Sequence, residues 1–111
     1  MKYALFLGEE TITYQEAYIR IEQISNNIQY YAREESFIGV PTTRCIEEIL
    51  FVMAILKSGK AYLPIDFKYP KKRLTSIINN SGLSFCLTTQ ADEELARNEG
   101  LTTIGISGDN P

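Results

Sequence analysis

Leu56-Lys57-Ser58-Gly59-Lys60-Ala61-Tyr62-Leu63-Pro64-Ile65-Asp66 is the stretch from which the fold of this 111-residue chain can be worked out. Its first residues end an apolar helical run. Gly59 offers the left-handed stop that helices favour just past their last turn. Ala61–Ile65 then reads as a short apolar strand, and Pro64 and Asp66 mark its exit into a loop. Upstream, Ile46, Ile49, Leu50, Phe51, Val52, Met53, Ile55 and Leu56 cover nearly the whole circumference of the helix, the pattern of one buried or covered on two faces. One sheet face in so small a domain cannot hide that much apolar surface, so further chain or a partner is expected to cover it. The strand is expected to be fully buried and central. Asp66 would then stand at the carboxyl end of a central strand, where ligand crevices of open α/β sheets form. The competing reading of Asp66 is a turn residue.

Working outward, Pro70 opens a helix with Leu74, Ile77 and Ile78 inward, and Gly82 closes it. Leu83–Thr88 reads as the next strand, Gln90–Asn98 as a short acidic helix stopped by Gly100, and Leu101–Ile106 as a last strand before a turn-rich tail, Ser107–Pro111. Towards the amino terminus, Tyr3–Leu7 and Thr11–Tyr14 flank Gly8-Glu9-Glu10 as a β-hairpin. Thr13 and Glu16 form a capping box that opens a helix over Tyr14–Arg33. Tyr14, Ala17, Tyr18, Ile21, Ile24, Ile28 and Tyr31 mark its inner face, and Glu16, Arg20, Gln23, Asn27 and Glu34 its wet side. Ser36–Val40 is a strand closed by Pro41, after which Thr42 or Thr43 can cap the next helix. Strand alternating with helix implies parallel strands joined by right-handed crossovers. The expected fold class is therefore α/β, a three-layer sandwich with a mostly parallel sheet, preceded by a short β-hairpin.

Composition narrows the function classes. Hydrophobic residues at 44% and charged residues at 23% are ordinary globular values, and a net charge of −3 lacks the basic excess of a nucleic-acid binder. Lys71-Lys72-Arg73 is the one basic cluster and reads as a solvated helix start. No apolar run reaches the roughly 18 residues of a membrane span, and the first residues are too short an apolar stretch for a signal peptide. Cys45 and Cys86 lack metal-ligand spacing and fit reduced, packed thiols in a cytoplasmic protein. The whole chain reads as a single domain over residues 1–111. Asn79-Asn80-Ser81 matches a glycosylation sequon, which has meaning only in a secreted chain.

Catalytic chemistry is hard to assemble from this inventory. The chain has no histidine, the commonest general base and metal ligand. Glu9-Glu10, Glu34-Glu35, Glu47-Glu48 and Glu93-Glu94 are adjacent acids that diverge, whereas a working carboxylate pair must converge. Lys57 suits the negative end of a helix dipole, and Tyr62 and Pro64 suit packing and strand exit. Gly105 to Gly108 is too sparse for a phosphate loop, which needs several glycines between a strand and a helix.

The Leu-Lys-x-Gly-x-Ala-Tyr-x-Pro-Ile-Asp run closely resembles a signature of adenylate-forming enzymes, above all the amino-acid-activating domains of nonribosomal peptide synthetases. Tyr69-Pro70-Lys71-Lys72-Arg73-Leu74 with Ser81-Gly82 resembles the segment that follows it, and Ile12-Thr13-Tyr14-Gln15-Glu16-Ala17 resembles the family's opening pattern. The resemblance is carried by Thr13, Tyr14, Glu16, Lys57, Gly59, Ala61, Tyr62, Pro64, Asp66, Tyr69, Pro70, Arg73 and Gly82, as structural motif residues. It implies the N-terminal part of an adenylation domain's large subdomain. It also implies a parent enzyme that uses ATP and magnesium to form an aminoacyl-AMP and passes the acyl group to a carrier-protein thiol. The family's phosphate loop, its later nucleotide-binding motifs and its catalytic lysine have no counterpart here. No catalytic, cofactor-binding or metal residue is therefore expected in this chain, and no activity from it alone. The expected partners are the remainder of the adenylation domain and a carrier protein, with self-association through the Ile46–Leu56 helix or an open sheet edge, and neither nucleic acid nor membrane. A free-standing interaction module with the same fold is the alternative. The tight passage Glu34–Phe37 departs from the family, which has a longer, glycine-containing turn there.

Overall fold

The computed structural model describes residues 3–7, 10–42, 45–90 and 92–104. β1 (Tyr3–Leu7) and β2 (Glu10–Thr13) pair antiparallel, Leu7 opposite Glu10 and Tyr3 opposite Thr13. The chain passes directly into α1 (Tyr14–Tyr31). Thr13 caps α1 as the sequence predicts: the Glu16 N–H donates to Thr13 Oγ1 over 3.1 Å, and the Thr13 N–H donates back to Glu16 Oε1 over 3.3 Å. There follow β3 (Phe37–Pro41), α2 (Ile46–Lys57), β4 (Ala61–Ile65), α3 (Lys71–Ser81), β5 (Phe85–Leu87), α4 (Glu93–Asn98) and β6 (Thr102–Ile104). Expected turns at Gly8-Glu9, a cap at Thr43 and the tail from Gly105 lie outside the described residues.

The four later strands form one parallel sheet in the order β4-β3-β5-β6. Alternation along the strands sorts side chains to two faces. Ile38, Val40, Leu87 and Ile104 join Ile24 and Ile28 of α1 and Leu50, Phe51, Ala54 and Ile55 of α2 in one apolar cluster. Ile65, Cys86, Leu83 and Leu101 join Leu74 and Ile78 of α3 and Ala96 of α4 in a second. Helices therefore cover both faces, and the three-layer α/β fold with its mostly parallel sheet is present. Gly39 lets the second layer approach β3: a Cβ there would stand 2.9 Å from Leu83 Cδ2 and 3.3 Å from Cys86 Sγ.

Several expectations are corrected. β4 is neither central nor fully buried; it is the sheet's edge, and Ala61, Tyr62 and Pro64 are exposed. Pro64 has no N–H to give to a strand on each side, so an edge position suits it. In α1 the buried arc is centred on Ile24 and Ile28, which leaves Tyr14 in the first turn and Tyr18 at the arc's margin exposed, while Asn27 is buried. α2 is capped by Cys45 rather than Thr42, whose hydroxyl instead donates to the Ile65 carbonyl over 3.4 Å. The nearly all-apolar surface of α2 is mostly satisfied within the chain: Phe51 and Leu50 are wholly buried, and only Met53 and Leu56 stand well exposed. α4 begins at Glu93, three residues later than the acidic run suggests, because Thr89 and Asp92 close a turn before it.

Candidate functional site

The motif segment runs from the end of α2, through edge strand β4, into the start of α3. α2 ends in a Schellman turn: the Gly59 N–H donates to the Leu56 carbonyl over 3.0 Å and the Lys60 N–H to that of Ile55 over 3.1 Å, with Gly59 at φ 78°. Lys57 reaches Glu22 of α1 at 2.7 Å, and this hydrogen-bonded carboxylate raises the lysine's pKa above its ordinary value. Ser58 joins the same helix pair, 2.8 Å from Ser25 Oγ, and its carbonyl accepts from Gln29.

After β4 the side chains turn to local work. Asp66 Oδ1 accepts the Lys68 N–H over 2.9 Å, and the Asp66 carbonyl accepts the Tyr69 N–H over 3.1 Å, an Asx-type turn that points the chain into α3. Pro70 caps that helix without a side-chain bond, its carbonyl accepting from Leu74, and Arg73 lies over the Tyr69 ring at 4.5 Å. Gly82, at φ 75°, ends α3. Asp66 therefore sits at the carboxyl end of an edge strand and is engaged as a turn residue.

The topological switch point lies elsewhere, between β3 and β5, whose following helices pass to opposite faces. The described residues at its rim are Thr42, Thr88 and Thr89. Thr89 donates to Asp92 over 3.1 Å, and Thr88 is buried with its N–H on the Ile104 carbonyl. Among the described residues no three His, Cys, Asp or Glu side chains come together to hold a metal ion. No helix among them is long and apolar enough to cross a membrane.

Among the described residues, two shallow clefts open on the surface. One, of about 180 Å³, lies between the β4–α3 connection and α4 and is lined by Phe67, Tyr69, Lys71, Leu74, Leu95 and Glu99 among others. Glu99 is nearly buried there, accepting from Thr75 over 2.8 Å and facing Lys71 at 3.9 Å. The other, of about 220 Å³, is lined by Thr11, Ile12, Glu16, Arg20, Ile46 and Glu47. Burial pushes the Glu47 carboxyl up. Hydrogen bonds from its own backbone N–H and the Cys45 thiol, with Arg20 at 3.4 Å, outweigh that and hold it below its usual range. Of the motif residues, Tyr69 lines the first cleft and Glu16 the second; the others line neither, so the motif does not converge on one cleft.

Two structural residues escape the sequence reading. Lys60 donates to the Glu35 carbonyl over 2.6 Å and to that of Arg33 over 3.0 Å, pinning the tight α1–β3 passage. Nothing in the local pattern announces this, since the contact joins segments 25 residues apart. Glu99 is the other; its neighbours come from α3.

This architecture defines a doubly wound α/β domain whose signature residues build turns and caps. A family model described as "AMP-binding enzyme" matches residues 1–109, and the chain belongs to that family. It is 34% identical over 113 aligned residues to bacitracin synthase 1 of Bacillus licheniformis, covering 96% of this chain. It is 36% identical over 88 residues to tyrocidine synthase 3 of Brevibacillus parabrevis, covering 78% of this chain. The chain spans only 2% and 1% of those relatives' lengths. The crystal structure of the nonribosomal peptide synthetase FmoA3, in its α-methyl-L-serine-AMP-bound form, superposes on 94% of this chain with a TM-score of 0.77 at 26% identity, over 12% of its own length.

Proposed function

We propose that the chain serves as the N-terminal structural segment of an amino-acid-activating adenylation domain and is not catalytic alone. The observation that carries this reading is the family match over residues 1–109, together with motif side chains that are engaged in caps, turns and packing. In the parent enzyme an amino-acid carboxylate attacks the α-phosphorus of ATP, assisted by magnesium, and pyrophosphate leaves. A carrier-protein thiol then takes the acyl group and AMP leaves. This segment contributes one flank of the large subdomain, and its partners are the remainder of that domain and the carrier protein. Cys45 and Cys86 are not joined in a disulfide, which supports a cytoplasmic setting.

The test is amino-acid-dependent ATP–pyrophosphate exchange. The purified chain is expected to stay at background, and an adenylation domain lacking its own equivalent segment is expected to regain exchange when the chain is supplied in trans. Exchange by the chain alone would overturn the non-catalytic assignment. Failure to restore exchange or to bind that truncated domain would overturn the structural one.

A further inference from the structure

We draw no further inference here: the strongest candidate, the apolar ledge of Met53, Leu56, Tyr62 and Pro64 at the open edge of β4, carries nothing beyond the function proposed above because nothing in the structure shows which element covers it.

Discussion

A methyl group added to Gly39 would press on Leu83 and Cys86, two buried residues of the second layer. Leu83 can swing its terminus, so Gly39→Ala should cost about 1 kcal/mol and Gly39→Val about 2–3 kcal/mol in urea unfolding; an unchanged midpoint for the valine variant would contradict this packing. At the start of α1, Thr13→Ala removes an oxygen that accepts an otherwise orphan N–H and should cost about 1 kcal/mol, with Thr13→Ser recovering most of it. Burial pushes the Cys86 thiol up to about 12. The unfolded thiol ionises near 8.5 while the folded one stays neutral. Its contribution to stability is therefore intact below about pH 8.5 and is lost as pH rises towards 12. Cys86→Ala should flatten the alkaline fall in stability relative to the parent, and identical slopes would refute this. The capping box was legible because it is a local pattern. Gly39 was not, since the reason for a glycine lies in residues more than 40 positions away.

Among the elements, β4 and the α1–β3 connection show how far the sequence reading could reach. Helices, strands and their order follow from periodicity and from Gly59 and Gly82. The place of a strand within its sheet depends on long-range pairing, and an apolar run such as Ala-Tyr-Leu-Pro-Ile suits centre and edge alike unless its proline is weighed. The Ala61 N–H donates to the Ser36 carbonyl, and the Ile65 carbonyl accepts from Thr42. Backbone groups of Ala61, Leu63 and Ile65 thus face β3, and those of Tyr62 and Pro64 face outward. Pro64 leaves that edge without one donor, a device that discourages strand-to-strand aggregation. Pro64→Val should restore the donor and increase self-assembly, read as added light scattering and thioflavin fluorescence in concentrated solution. No increase would mean that the exposed side chains already block pairing. For the connection, Lys60→Met keeps an apolar stem and removes both ammonium contacts. It should cost about 1–2 kcal/mol and speed hydrogen exchange around residues 32–36; unaltered exchange there would show the passage holds itself.

Taken whole, the molecule distinguishes two apolar residues that the sequence treats alike. Phe51 is inside the chain's own core, so a charge there should unfold it rather than alter its assembly. Met53 is 43% exposed, three residues before the exposed Leu56 on α2, so Met53→Asp should leave the fold intact and raise the monomer fraction in sedimentation if the free chain self-associates through this ledge. An unchanged distribution would remove the ledge as the contact. The strand order carries a kinetic consequence as well. β3 is matched to β4 at five positions across a single helix, but to β5 only at Gly39 and Cys86, after the three intervening elements α2, β4 and α3. Closing the shorter loop first is the cheaper route, so the transition state should contain β3, α2 and β4 while β5 and β6 dock late. In a chevron experiment, Val40→Ala should then slow refolding, whereas Gly39→Ala should act mainly by hastening unfolding. The family signature, read in this light, lies along the last strand of the region expected to order first, and the reverse pattern of rates would place that nucleus on the other side of the sheet.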